Sequence, residues 1–388
     1  MPSYDENDIV EVKKREHRKK KLTRLFIFVI VVCIAAGLYF TKDMWLKKMR
    51  GIGRQYNTII NSGTLAEGNF PIEIDGEYNY QLRQTQDKLI LLSDIHIFFY
   101  NTDGTLMRKR QHAYTNAVLQ ADNGRALIYE IGGDDFCIED EEGILYENKF
   151  ENNIMFARIS PEGYAAVVTT SDNYDCEIYV YDKKGNVIYE RKCMEHVNDL
   201  SFINESSGCV ISYIMAENGS LTTSVQQIIF TESAAKWTSP GLDTVGLDVF
   251  GYNAGAFVLG FDACGYINAS GQISSYYRYD GDLEGGASIG GKSAVIINND
   301  DRRKYIMILF DGYEKEPLII DLGQRAVDVT IHDNLAYVMC KEEIRAYDFS
   351  GELRSTAVIS DSYSGFVRSN EYIFLEGYNR IDRIDYES

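Results

Sequence analysis

The residues able to do chemistry are few and scattered. Besides His17 near the N-terminus, the histidines are His96, His112, His196 and His332. Each stands near the edge of a short strand-like run, so a ring of such runs could gather them at its centre around a metal. Taken singly, they are hydrogen-bonding or surface residues. Acidic turns form the second group: Asn101-Thr102-Asp103-Gly104, Asp134-Asp135, Glu139-Asp140-Glu141-Glu142-Gly143 and Asn298-Asn299-Asp300-Asp301. Calcium takes about six to eight oxygen ligands, which loop sites supply at alternate positions. None of these turns has the full alternation, and Asp and Asn also favour tight turns for local reasons. The string Gly286-Ala287-Ser288-Ile289-Gly290 has the form of a nucleophile elbow. An elbow needs a strand before it and a helix after it, and Ala294–Ile297 reads as a strand. The seven Cys show no CxxC and no Cys/His metal spacing. Cys176 and Cys193 face each other across the open end of a hairpin, so a disulfide there depends on register: a slip of one residue sends them to opposite faces.

The elements that must position these residues are short and repetitive. Ile178–Lys192 places Ile, Val and Tyr on either side of Asp182-Lys183-Lys184-Gly185. β-Branched and aromatic arms around a Gly-containing turn predict a β-hairpin. The phrase recurs at Ile97–Arg110, Phe136–Lys149 and Ile344–Ala357, and it degrades at Val225–Pro240. Ahead of each hairpin lies an apolar run: Lys88–Leu92, Ala126–Tyr129, Tyr164–Val168, Ala256–Phe261, Ala294–Ile297, Leu335–Met339 or Tyr372–Leu375. Runs of this kind suit strands buried on both faces. The units open at Glu77, Thr115, Asn153, Val197, Thr244, Glu284, Arg325 and Ser364, 38 to 47 residues apart.

A period near forty residues built from four short strands is a propeller blade. The expected fold is therefore all-β, a β-propeller of eight blades, or seven if the irregular fourth and fifth units are miscounted. The last unit, Ser364–Ser388, has room for three strands only. Phe70, Ile72 and Ile74, in the segment before the first unit, are expected to supply the fourth and close the ring, which removes two sheet edges. The Trp-rich repeats that lock quinoprotein dehydrogenase blades are absent, with only Trp45 and Trp237 present.

The N-terminal region has another character. Lys13, Lys14, Arg15, Arg18, Lys19, Lys20, Lys21 and Arg24 precede and enter an apolar segment. Its apolar residues are Leu25, Phe26, Ile27, Phe28, Val29, Ile30, Val31, Val32, Cys33, Ile34, Leu38, Tyr39 and Phe40. Leu22–Phe40 spans about 28 Å as a helix, enough to cross the hydrocarbon core. A cleaved signal peptide is the rival reading, but apolar residues continue past Ala35-Ala36-Gly37. The basic residues place the N-terminus in the cytoplasm. The expected organisation is a basic cytoplasmic tail over 1–21, a transmembrane signal anchor over 22–41, a juxtamembrane helix and linker over 42–69, and an extracytoplasmic propeller over 70–388.

Gln111–Leu119 (QHAYTNAVL) and Asn123–Gly133 (NGRALIYEIGG), with Ser160–Tyr164 (SPEGY) and Ile178–Gly185, resemble a family of uncharacterised membrane-anchored proteins of Gram-positive bacteria, chiefly clostridia and their relatives. The likeness includes the basic tail and the single apolar segment. It implies an extracytoplasmic propeller on one transmembrane anchor, with no activity and no catalytic residues. It also argues against a Cys176–Cys193 disulfide, since an anaerobic host rarely uses them outside the cell.

Charge narrows the partners. The chain carries a net charge of −19, yet residues 1–54 hold 13 Lys+Arg against 6 Asp+Glu. The acidity therefore lies in the body, which would repel a phosphate backbone, so no nucleic-acid partner is expected. No cofactor motif is present. The 28 Tyr suit half-buried strands. The functional expectation is a non-enzymatic interaction, scaffold or sensor module at the cell envelope, meeting other envelope proteins or cell-wall polymer. A glycan-binding or glycan-cleaving propeller is the alternative, and a cation-binding propeller the next.

Overall fold

The computed structural model describes residues 59–60, 64–65 and 69–385, apart from 75–78, 86, 218, 253–254, 313–314, 361–362 and 370–371. These residues form eight antiparallel sheets in chain order, the blades of a β-propeller. Blades 1 to 7 cover 80–111, 117–149, 154–193, 196–238, 246–278, 282–321 and 326–358. In each, the first strand is innermost and the fourth outermost. One end of the ring carries the tight turns after the first and third strands; we call it the turn face. The other, the loop face, carries the connections between second and third strands and the crossings between blades.

Blade 8 closes the ring as expected, with an addition. Its three own strands are Tyr363–Arg368, Tyr372–Gly377 and Arg380–Asp385. The fourth comes in two pieces, Thr64–Leu65 and Ile72–Glu73, both antiparallel to Arg380–Asp385. Ile72 and Ile74 are buried among Leu82, Leu89, Phe374 and Ile381, and the Phe70 ring lies 5.9 Å from that of Phe374. Upstream, Ile59–Ile60 adds a fifth, parallel strand to blade 7 beside Leu353–Val358. Strand pairing thus begins upstream of residue 70, the expected start of the propeller.

The second strands carry the core. Ala165–Thr169, Gly255–Gly260 and five of the six residues of Leu335–Cys340 are buried on both faces. Each packs against its own blade's neighbours on both sides, so apolar residues at every position are favoured, each worth about 1.5–3 kcal/mol when fully buried. One expected member differs: Phe261 falls outside its strand, which ends at Gly260, and is 70% exposed. The hairpin turn also shows its physical reason. Gly185 has φ +83°, and a Cβ there would stand 2.8 Å from Tyr146 Cγ of blade 2. Both the backbone and the neighbouring blade require glycine.

The expected anchor (22–41), the basic tail and residues 42–57 lie outside the described residues. Among the described residues, no helix is long and apolar enough to cross a membrane.

Candidate functional site

Inner strands of neighbouring blades are not laddered to one another, so their inward backbone groups need other partners. The chain supplies them from side chains. Gln81 Oε1 accepts the Leu119 N–H at 3.0 Å, and Gln81 Nε2 donates to Ala117 O at 2.8 Å. Asp199 Oδ2 accepts the Val249 N–H at 2.7 Å. Asp328 Oδ2 accepts the Phe366 N–H at 3.1 Å. In six of the eight inner strands a β-bulge falls near the start, just before Phe156, Asp199, Asp248, Gly285, Asp328 and Gly365. The bulge re-aims the following side chain. Three aspartates thus occupy equivalent places around the ring, and two of them fasten one blade to the next.

This fastening charges the centre. Burial pushes the Asp199 carboxyl up to about 6, although Arg158 Nη2 lies 2.6 Å from its Oδ1 and pulls the other way. Burial likewise raises Asp328. Beside Asp328 stands Glu376, on the second strand of blade 8 opposite Gly365. The missing side chain of Gly365 opens a gap between them: a Cβ there would lie 3.4 Å from Asp328 Oδ2 and 3.7 Å from Glu376 Oε1. Burial, with Asp328 adding to it, pushes Glu376 up to about 7 against the pull of Arg83.

Glu376 also lines a pocket of about 240 Å³ on the loop face between blades 8 and 1, with Tyr80, Ser364 and Tyr378. A second pocket, about 340 Å³, lies between blades 1 and 2, bounded by Tyr80, Asp94, Asn116 and Ile131. Tyr80 separates the two, its hydroxyl donating to Gly377 O at 2.5 Å.

Around these pockets the loop face carries large exposed apolar residues among polar ones. The connections between second and third strands end in Ile95, Ile131, Tyr174, Phe261 and Tyr378, and blade 4 adds Leu221; all are exposed. Met194 and Val358 at the blade crossings extend the surface. Tyr378 and Met194 are 73% and 76% exposed. The arc runs through blades 8, 1, 2, 3, 4 and 5. In blades 6 and 7 the matching loops are charged, Asp300-Asp301-Arg302-Arg303 and Lys341-Glu342. Other exposed apolar residues open the outer strands, such as Leu106-Met107 and Val187-Ile188, and flank the rim.

The residues singled out in the sequence are dispersed. Ser288 is the penultimate residue of an inner strand, Asp282–Ile289, which is followed by a Gly290-Gly291 turn and another strand. Its Oγ is engaged with Tyr252, Ser293 and the Lys292 carbonyl, so the elbow geometry is missing. His112 is buried, with Nε2 2.9 Å from Ser93 O. His196 Nδ1 lies 2.9 Å from Asp175 Oδ2. His332 is on the turn face, away from the other three. Among the described residues, no group of three or more His, Cys, Asp and Glu is placed to hold a metal. The acidic turns are occupied locally: Asp103 accepts from Thr105, Asp140 from Glu142 and Gly143, and Asp182 from Lys184 and Asn186. The Asn186 side-chain amide is the main reason the Asp182 carboxyl sits below its usual range. Glu139 is fully buried and holds Arg108 and Arg110 of blade 1. It is a strut between blades and not a calcium ligand.

The inner-strand fastening and the apolar tips were not read from the sequence. The tips have a usable signal, one large apolar residue recurring inside an otherwise polar connection, as in Ser93-Asp94-Ile95-His96 and Gly260-Phe261-Asp262.

A model of a family of unknown function (DUF5711) matches residues 67–236. No curated protein matches the chain. Solved structures agree on architecture. BamB from Moraxella catarrhalis superposes with a TM-score of 0.55 at 13% identity, covering 83% of this chain and 96% of its own. The computationally designed Ika8 protein gives 0.61 at 11% identity, covering 81% and 98%. Sqt1 of Saccharomyces cerevisiae gives 0.61 at 8%, covering 85% and 100%. At such identities the likeness concerns the propeller fold alone.

Proposed function

We propose that this protein is a membrane-anchored, extracytoplasmic propeller that binds another envelope protein through its loop face, without catalysing a reaction. The observation that carries this reading is the apolar arc from blade 8 through blade 5. An arc of large exposed apolar residues set among carboxylates such as Asp94 and Asp175, and giving way to wholly charged loops at blades 6 and 7, favours a protein partner. The aromatic tips Phe261, Tyr378 and Tyr174 suit the anchoring role such residues take at interfaces. The anchor rests on the apolar run Leu25–Phe40 and the basic residues before it, and it places the propeller outside the cell.

Photocrosslinking in intact membranes tests this. A photoreactive residue at Phe261 or Tyr378 is expected to capture one discrete protein, and one at Lys184 on the turn face to capture none. The double variant Phe261→Ser/Tyr378→Ser should lose the adduct formed from a probe at Ile131, with an unchanged melting temperature. Equal capture from both faces, or capture that survives the double variant, refutes the loop face as the binding surface. Protease digestion of intact cells tests the topology separately.

A glycan-binding or glycan-cleaving role on cell-wall polymer is the second reading, favoured by the neighbouring carboxyls of Asp328 and Glu376. Against its catalytic form, Asp328 is already engaged by two backbone donors, the N–H groups of Phe366 and Val329. Silence on a glycan array would dismiss binding.

A further inference from the structure

Six cysteines lie among the described residues, all buried with free thiols. Of these, one pair stands directly across two adjacent strands: Cys176, opening the third strand of blade 3, is the register partner of Cys193, closing the fourth. The register runs on through Glu177–Lys192 and Ile178–Arg191, and a bulge at Val180/Tyr181 takes up the odd residue near the turn. The slip that would have separated the two cysteines therefore falls beyond them. Directly opposed strand residues have Cα atoms about 4.5–5.5 Å apart, inside the range a disulfide spans without backbone movement.

We propose that Cys176 and Cys193 form a redox site, a cross-strand dithiol that closes to a disulfide when the protein meets a small-molecule disulfide oxidant. Their surroundings divide the labour. The Cys176 S–H is directed to Glu195 O at 3.9 Å, and Arg191, two residues before Cys193 on the same strand and held by Gln226 Oε1 at 2.7 Å, stands close to the Cys193 sulfur. The Arg191 charge favours a thiolate at Cys193, the form that attacks. Cys176 is pushed the other way and keeps its proton.

The thiolate of Cys193 attacks one sulfur of the oxidant, forms a mixed disulfide and expels one thiolate. That thiolate takes the proton of Cys176. The Cys176 thiolate then attacks the Cys193 sulfur and expels the second thiolate, which takes up the proton that Cys193 released to solvent on ionising. Two protein thiols are oxidised, and one oxidant disulfide is reduced to two thiols. Both cysteines are fully buried, so the oxidant reaches Cys193 as the end of the hairpin opens, where Cys193 is the last strand residue and Met194 beside it is exposed. Asp175 closes this end, with its N–H on Cys193 O and its carboxylate on His196. Cys209 of blade 4 lies in the same apolar cluster and provides an internal control.

The test uses the full chain, purified reduced in detergent and exposed to excess oxidised glutathione. Free thiols are then alkylated and the digest read by mass spectrometry. The expected result is that two of the seven cysteines become unalkylatable. The peptides carrying Cys176 and Cys193 should be joined with loss of two hydrogens, and dithiothreitol should reverse this. Cys209→Ser should leave the link intact, and Cys193→Ser should leave Cys176 alkylatable. Three outcomes overturn the proposal. Both thiols stay alkylatable while the urea-unfolded chain becomes linked; Cys193 joins Cys209 as readily as Cys176; or glutathione remains on Cys193 without closure.

Discussion

Glu376→Gln should flatten the dependence of stability on pH. In the folded protein burial raises the Glu376 carboxyl to about 7, from an ordinary value of 4.5. Asp328 adds to the rise and Arg83 opposes it. The folded state therefore holds the proton more tightly than the unfolded chain. Stability from this group is complete below pH 4.5 and is lost as pH rises through 7. Each pH unit of difference corresponds to about 1.4 kcal/mol, so the full loss approaches about 3 kcal/mol. The carboxyl borders a solvent-filled pocket, and screening there leaves about 1–2 kcal/mol. Glutamine keeps the shape and carries no charge. Urea midpoints followed by circular dichroism at pH 4, 7 and 8.5 provide the assay. The variant should match the wild type at pH 4 and exceed it at pH 8.5, most of the difference having accumulated between pH 4.5 and 7. Parallel curves, or a variant weaker at pH 8.5, would refute this account of the Asp328–Glu376 pair.

Two further outcomes follow from packing. Glu139→Ala should destabilise by about 3 kcal/mol, because Arg108 and Arg110 lose the buried carboxylate that both grip; thermal melting measures it, and Glu139→Gln, which keeps volume and one acceptor, should cost less. Ile72→Ala should cost about 2–4 kcal/mol by opening the joint between blades 8 and 1, whereas Ile319→Ala on the exposed outer strand of blade 6 should fall within about 0.5 kcal/mol of wild type.

Much of the architecture could be read locally. The hairpin around Gly185 is written in its own residues, because strand propensity and turn conformation act over a few positions. The doubly buried second strands show as apolar runs for the same reason. Closure by the segment holding Ile72 followed from counting strands in the last blade. Phe261 escaped this reading: an apolar residue beside an apolar strand looks like its continuation, and only the path of the chain after Gly260 turns it outward. Glu139 could not be told apart within its acidic run, because its partners, Arg108 and Arg110, belong to another blade.

The sequence by itself determined the repeat, the strands within each unit and the source of the closing strand, and it narrowed the blade number to eight or seven, which the eight sheets decide. All of these follow from periodicity and from backbone preferences a few residues long. Only the tertiary structure decided what the ring's centre and loop face are made of. Asp199 and Val249, or Asp328 and Phe366, meet because inner strands of successive blades are brought side by side, and each bulge selects which side chain faces the next blade. Glu376 becomes unusual through Asp328, Arg83 and the gap at Gly365, and only ring closure places Tyr80 of blade 1 across their pocket. The register of Cys176 and Cys193 likewise depended on where one bulge fell. Such contacts carry no local signature, because the residues that make them are chosen by the geometry of neighbouring blades.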